Sequence, residues 1–186
     1  MSSETSLFPG ALISPKIQEV LPKGYICRAL QRSDFRHGQL DVLGGLTHVG
    51  EITEDQWTER YDAMNKCNNT YFVLVIVDTN RDAEKMIVGT GTLIVEQKFL
   101  YNLGMQGHIE DVAVAADQQG KKLGVLLIEA LGHIAEHVGC YKACISLLTI
   151  LDCHPEREGF YLKCGYEKRG LEMHRYHDPV AQKYSV

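Results

Sequence analysis

The chain lacks the features that would place it in a membrane, on a nucleic acid or around a metal. Its longest uninterrupted apolar run, residues 71–77, is too short to cross a bilayer. No charged segment followed by an apolar one opens the chain, which favours a cytoplasmic protein and leaves peripheral attachment to endomembranes open. A net charge of −5 provides no general attraction to nucleic acid or anionic lipid. The six cysteines, Cys27, Cys67, Cys140, Cys144, Cys153 and Cys164, contain no C-x-x-C pair, so reduced structural thiols are expected. The eight histidines show no H-E-x-x-H spacing, and no metal is predicted. Two familiar phosphate loops are also missing, the Walker pattern and the dinucleotide fingerprint G-x-G-x-x-G. Internal repeats and low-complexity segments are absent as well.

What remains reads as one alternating α/β domain. At 186 residues the chain can bury most of its apolar surface in a single core. Residues 1–22 carry Pro9, Pro15 and Pro22 without periodicity and read as a poorly ordered arm. A short strand follows at 25–30. Ser33 can cap a helix through about Leu43, and Thr53 with Gln56 forms a capping box for a second helix through Lys66. YFVLVIVD from Tyr71 and MIVGTGTLIVEQ from Met86 read as two long strands joined by a polar turn, an antiparallel hairpin. Further strands are expected at 107–114, 141–151, 165–169 and 172–176, with a short helix at 156–163. This order predicts a mixed, mostly antiparallel sheet flanked by helices over residues 23–177, followed by a mobile tail at 178–186.

The most informative stretch is GHIEDVAVAADQQGKKLG, residues 107–124. HIEDVAV alternates as a strand does, and AADQQG breaks the pattern. From Leu123 the apolar residues fall at Leu123, Leu126, Leu127, Ala130, Leu131, Ile134 and Val138, the spacing of a buried helix stripe, and Gly139 supplies the stop. A glycine-bearing loop between strand and helix leaves the first N–H groups of the helix pointing outward, and with the helix dipole they form an anion site. The same glycines could instead serve the tight turns of an ordinary surface loop.

Gln119, Gly120, Lys121, Lys122, Leu123 and Gly124 fit Gln/Arg-x-x-Gly-x-Gly/Ala, the pyrophosphate loop of the acetyl-CoA-dependent GNAT acetyltransferases, with Lys122 in place of the first glycine. Within that superfamily the chain resembles the eukaryotic glucosamine 6-phosphate N-acetyltransferases over residues 24–175. The resemblance is carried in order by LTHVG at 46–50, GHIEDVAV at 107–114, GCYK at 139–142, and LDC followed by GFYLKCGY within 151–166. It implies the GNAT fold, with splayed central strands forming an acetyl-CoA cleft, and transfer of an acetyl group to a phosphorylated amino sugar. It also implies a homodimer that exchanges C-terminal strands. Backbone groups of Val112, Ala113 and Val114 would pair with the pantetheine arm, and a bulge there would free the N–H of Val112 or Ala113 for the thioester oxygen.

Acetyl transfer needs a group to hold the amine unprotonated and another to protonate the departing thiolate. Buried carboxylates require partners, and Glu110 and Asp111 sit side by side on an expected core strand. By resemblance Glu110 contacts the amine or its water, Asp111 lines the sugar site, and Asp152 is a second carboxylate. The alternative is that these acids cap backbone or pair with Arg and Lys. Tyr161 matches the tyrosine aimed at the thioester sulfur, with Phe160 and Lys163 on the same cofactor-binding segment. For the sugar and its phosphate the matches are Thr47, Lys98, Tyr101 in place of a histidine, Val112, Tyr141 and Lys142 reaching a partner's site, and Arg175.

Besides Lys122, the chain departs from these relatives at Arg157, where they carry asparagine, and at Tyr176, where they carry the arginine matched here by Arg175. Between GCYK and ILDC it also carries about six additional residues, an even-numbered insertion that preserves strand alternation. Another GNAT activity on a different small or protein amine, or a silent acetyl-CoA-binding module, are the alternative readings.

Overall fold

The computed structural model describes residues 5–140, 149–151, 153 and 155–168. They fall into two compact units, residues 1–150 and 151–186.

The first unit is built on a five-stranded sheet in chain order: β1 (Tyr25–Ala29), β2 (Tyr71–Asp78), β3 (Ile87–Gln97), β4 (Met105–Val114) and β5 (Thr149–Ile150). The first three pairings are antiparallel and β4–β5 is parallel. Strand β2 lies second in the sheet and is buried on both faces from Phe72 to Asp78, which explains why its sequence is continuously apolar rather than alternating. Strand β5 pairs only with Gly107 and His108, so beyond His108 β4 has no ladder partner on that edge among the described residues.

Helices flank the sheet: α1 (Pro15–Val20), α2 (Gln39–Gly44), α3 (Glu54–Lys66) and α4 (Leu123–Val138). The expected stripe of α4 is buried from Leu123 to Ile134, while Val138 is half-buried at the helix end. Gly139 closes α4 at φ 90°, and Cys140 N–H returns to Ala135 O at 2.9 Å. Two strand glycines let α4 sit close to β3. A Cβ on Gly91 would lie 3.1 Å from Leu131 Cδ1, and one on Gly89 would lie 3.3 Å from Leu127 Cδ1. The capping box on α3 forms as read, with Gln56 N–H donating to Thr53 Oγ1 and Thr53 N–H to Gln56 Oε1.

Three expectations are corrected. The N-terminal segment is packed from Thr5 onward: Leu7, Phe8, Ile17 and Leu21 are buried, Phe8 meets Phe72 at 5.4 Å between ring centroids, and Tyr61 donates to Thr5 O at 2.7 Å. Its prolines delimit short helices; Pro15 occupies the first turn of α1, where a missing N–H costs nothing. The single helix expected from Ser33 is divided by Gly38 at φ 87° into a 3-10 turn (Asp34–His37) and α2, and Ser33 makes no side-chain capping bond. Glycine is required at that corner because a Cβ would come within 2.9 Å of Glu84 O. Just before it, Asp34 is fully buried and binds both terminal nitrogens of Arg28 at 2.7 Å, Gln31 N–H at 2.7 Å and His37 at 3.0 Å. Burial alone would raise its carboxyl, but Arg28, Gln31 and His37 outweigh it and hold it below the ordinary aspartate value.

The second unit contains a 3-10 turn (Pro155–Arg157) leading into α5 (Glu158–Lys163). The third correction concerns the strand expected at 165–169. Gly165 takes φ 87° and Tyr166 N–H folds back to Tyr161 O at 3.1 Å, so Gly165 and Tyr166 close the helix, and residues 166–168 form no strand. The strand expected at 172–176, Arg169, the tail at 178–186 and most of the strand expected at 141–151 lie outside the described residues.

Candidate active site

Strand β4 changes register partway along its pairing with β3. Glu110 faces Thr92 and Ala113 faces Thr90, so Asp111 and Val112 together oppose the single residue Gly91. Asp111 takes φ 53°, which marks the extra residue of a β-bulge. The reason lies in both strands. Gly91 offers no side chain to fill the position, Val112 Cγ2 stands 3.6 Å from where its Cβ would be, and aspartate tolerates the left-handed region better than most residues. A bulged residue leaves the ladder, so backbone polar groups are released at the stretch expected to meet a thioester.

The two neighbouring acids separate at this bulge. Glu110 is half-buried, whereas Asp111, expected on a buried strand, is exposed because the bulge turns it outward. Partial desolvation by its surroundings still pushes the Asp111 carboxyl above the ordinary aspartate range. Val112 and Val114 are half-buried and Ala113 is buried.

Immediately after β4 comes a 3-10 turn (Ala116–Gln118), then the loop into α4. Gln119, Gly120, Lys121 and Lys122 are exposed, Leu123 is buried, and Gly124 is half-buried. Gly120 stands at φ 85° and Lys122 at φ 61°, the position where the loop pattern has glycine. Lysine in that region costs about 1 kcal/mol relative to a right-handed conformation. The first bond of α4 runs from Leu126 N–H to Lys122 O at 3.1 Å, so the N–H groups of Leu123, Gly124 and Val125 precede the helical ladder. With two lysines beside them, these groups meet the requirements of an anion site. Lys121 is engaged within the chain: its ammonium group donates to Tyr25 Oη and Gln118 Oε1, each at 2.7 Å.

Of the residues matched to the sugar and its phosphate, Lys98, Tyr101 and Thr47 lie elsewhere in the first unit. Lys98 follows the end of β3, six positions beyond Thr92, or roughly 20 Å along an extended strand. It pairs with Glu96, which also meets His108 at 3.3 Å. The lysine bond, followed by His108, outweighs desolvation and holds the Glu96 carboxyl below its ordinary value. Tyr101 is 71% exposed in a turn where Tyr101, Asn102 and Leu103 all take positive φ. Lys98 and Tyr101 are therefore set away from Glu110 along the hairpin. Thr47 is exposed on the loop leaving α2, a helix that packs on β3 and β4.

In the second unit Tyr161 is half-buried on α5, packed edge-on against Phe160 at 5.0 Å and Tyr166 at 6.1 Å. Burial first, then the neighbouring Cys153, Cys164 and Tyr166, push its phenol above the ordinary tyrosine value. Lys163 is exposed at the end of the helix, and Arg157 is exposed at its start. Asp152, Tyr141, Lys142, Arg175 and the additional residues near 143–148 lie outside the described residues. Among the described residues no group of three or more His, Cys, Asp or Glu is arranged to hold a metal ion, and no helix is long and apolar enough to cross a membrane.

Residues 31–166, which include the bulged fourth strand, the glycine loop and the N-terminus of α4, match the acetyltransferase (GNAT) family. The chain belongs to that family. It is 42% identical over 154 residues to the glucosamine 6-phosphate N-acetyltransferase of Candida albicans, covering 83% of this chain and 97% of that one. It is 37% identical over 160 residues to glucosamine 6-phosphate N-acetyltransferase 1 of Dictyostelium discoideum, covering 86% and 96%. The crystal structure of the Arabidopsis thaliana glucosamine-6-phosphate N-acetyltransferase superposes with a TM-score of 0.75 at 35% identity, covering 83% of this chain and 99% of that chain.

Proposed function

We propose that this chain transfers the acetyl group of acetyl-CoA to the amine of D-glucosamine 6-phosphate. The products would be N-acetyl-D-glucosamine 6-phosphate and CoA, a step toward UDP-N-acetylglucosamine. The observation that carries the transferase reading is the continuity of β4: the bulge at Asp111 and Val112 leads within a few residues into the unpaired N-terminus of α4. The choice of amine is supported by the named relatives, which match over nearly their whole length.

In this reading the N–H groups of Leu123, Gly124 and Val125, with Gln119, Gly120 and Lys122, hold the pyrophosphate. The edge of β4 at Val112, Ala113 and Val114, without a ladder partner among the described residues, pairs with the pantetheine arm. A backbone N–H freed at the bulge donates to the thioester oxygen as it gains charge, an effect worth about 10²- to 10³-fold. Glu110 takes the proton that the amine loses, directly or through a water, as nitrogen bonds to the carbonyl carbon and the carbon–sulfur bond breaks. Asp152 is the second carboxylate. Tyr161 supplies the proton that CoA sulfur gains, since a phenol is protonated at neutral pH. Phe160 and Lys163 complete the cofactor side. Thr47, Lys98, Tyr101, Asp111, Tyr141, Lys142 and Arg175 are assigned to the sugar phosphate, within a cytoplasmic homodimer.

The test is CoA release by the purified chain with acetyl-CoA and glucosamine 6-phosphate, beside unphosphorylated glucosamine and an amine-free control. Turnover that requires the phosphate is expected. A folded chain that binds acetyl-CoA but releases no CoA above the amine-free rate would overturn the proposal.

A further inference from the structure

The loop at residues 119–122 is exposed and holds two left-handed residues, a conformation that an isolated segment would not keep. Ordering each such residue costs about 1–2 kcal/mol in chain entropy. The structure shows what keeps it in place. Tyr25, at the first position of β1, is 6% exposed and donates its hydroxyl hydrogen to Gln118 Oε1 at 2.6 Å. Gln118 is likewise 6% exposed. Lys121 Nζ donates to both of these oxygens and stands 5.2 Å from the Tyr25 ring centroid. Three side chains thus close a ring of hydrogen bonds beneath the loop.

A second tie lies beside the first. Arg81, in the turn between β2 and β3, pairs with Asp117 and reaches Asp78 at 4.0 Å, while its Nη1 donates to Lys85 O at 3.3 Å. Gln118 Nε2 donates to Asp117 Oδ2 at 3.4 Å, which joins the two ties into one network. Tyr25 and Asp78 are register partners on β1 and β2, so both ties hang from one end of the same strand pair. The glycine before Tyr25 supports that corner: Gly24 stands at φ 88°, a conformation that strains any side chain, and it lies against the Asn80 amide.

We propose that Tyr25, Gln118, Arg81 and Asp117 are positioning residues that hold the anion-binding loop in its ligand-ready shape. Lys121 acts as their lock, so the contact with phosphate falls to the helix N–H groups and Lys122. The inference rests on reading residues 119–124 as the pyrophosphate site. Because the loop is held before the ligand arrives, its ordering cost is met by the folded protein instead of by binding. Losing a tie therefore weakens any ligand that uses the pyrophosphate contact and leaves alone one that does not.

The experiment compares two acetyl donors on the full chain, acetyl-CoA and S-acetylpantetheine, which lacks the pyrophosphate. Tyr25→Phe keeps the ring in the core and removes the hydroxyl; Arg81→Gln cuts the other tie from an accessible side chain and serves if Tyr25→Phe fails to fold. Each is expected to raise KM for acetyl-CoA about 5- to 10-fold with kcat unchanged, as for one lost hydrogen bond. Kinetics with S-acetylpantetheine should not change. If KM rises equally for both donors, or for neither, the positioning role is overturned while the loop reading survives. If the unaltered chain itself gains nothing from the pyrophosphate, the loop reading fails and the inference falls with it.

Discussion

The two ends of β4 are held in opposite ways. Its first residues leave a hairpin tip held by local bonds: Lys98 N–H to Gly104 O, Gly104 N–H to Leu100 O, and Glu96 shared by Lys98 and His108. Phe99 at 95% exposure and Leu103 at 71% stand open at the tip. Its last residues enter a loop fixed from far along the sequence by Tyr25 and Arg81. The positions proposed for the cofactor are therefore prearranged, while Lys98, matched to the sugar phosphate, rides on a tip tied by bonds between near neighbours in the chain. Anion binding by backbone groups demands fixed geometry, whereas a lysine on a flexible stem does not.

The largest expected effect probes the fixed end. Glu110→Gln retains shape and hydrogen bonding but cannot accept a proton, so kcat should fall about 10²- to 10⁴-fold. Acetyl-CoA affinity, measured by calorimetry, should not move. An unchanged kcat would mean that the bulge positions the thioester without Glu110 serving as the base.

Next in size is a contrast in stability between two phenylalanines. Phe8 is 5% exposed against Phe72, and Phe8→Ala should cost about 3–5 kcal/mol in denaturant melts. Phe99→Ala at the tip should stay within about 0.5 kcal/mol. Comparable losses would show that the tip is covered in solution, as a partner copy would do.

A pair of carboxylates extends the contrast to pH. Asp34 and Glu96 are both held below their ordinary values by a cation. Because the folded-state pKa of Asp34 is depressed, its contribution is present above the unfolded value of about 3.9 and is lost as pH falls through the folded one. Asp34→Asn should cost about 3 kcal/mol at neutral pH, since Arg28 loses a buried partner, and should flatten acid denaturation. The exposed Glu96 pair is screened, so Glu96→Gln should leave the acid profile as it is.

How much of this was legible in the sequence follows the same division. Local signals carried the capping box at Thr53, the α4 stripe and its stop at Gly139, and the β2–β3 hairpin, because propensity and period act within a few residues. The packed N-terminal segment was not legible. Its order depends on Phe72 and Tyr61, far away in the chain, and proline spacing says nothing of that. Gly38 breaks its helix for a reason that sits at Glu84. The bulge was anticipated by resemblance, and its location follows from Gly91, a residue on the neighbouring strand that no reading of β4 alone would consult. The ties at Tyr25 and Arg81 left no motif at all, since no fixed spacing joins them to Gln118 and Asp117.

Lys98→Met tests the locally held end. If the tip carries the phosphate contact, KM for glucosamine 6-phosphate should rise about tenfold, the loss of one charge-assisted bond, with turnover of unphosphorylated glucosamine unchanged. A loss of equal size with both sugars would assign Lys98 to holding the tip through Glu96 instead.

The smallest effect sharpens the fixed end, where charge and strain coincide at Lys122. Lys122→Met removes the charge and keeps a side chain in the left-handed region; Lys122→Gly removes both. Relief of strain is worth about 1 kcal/mol, and glycine's greater freedom in the unfolded chain offsets about 0.5–1 kcal/mol of it, so neither variant should shift stability much. Binding separates them. An exposed ammonium facing a phosphate should be worth about two- to fivefold in acetyl-CoA affinity and should lose that worth at high salt. If both variants bind alike, Lys122 acts through charge alone and the ties beneath the loop already hold its backbone. If Lys122→Gly binds more tightly than Lys122→Met, the left-handed residue still resists the bound shape, and the loop is less fixed than its network of bonds implies.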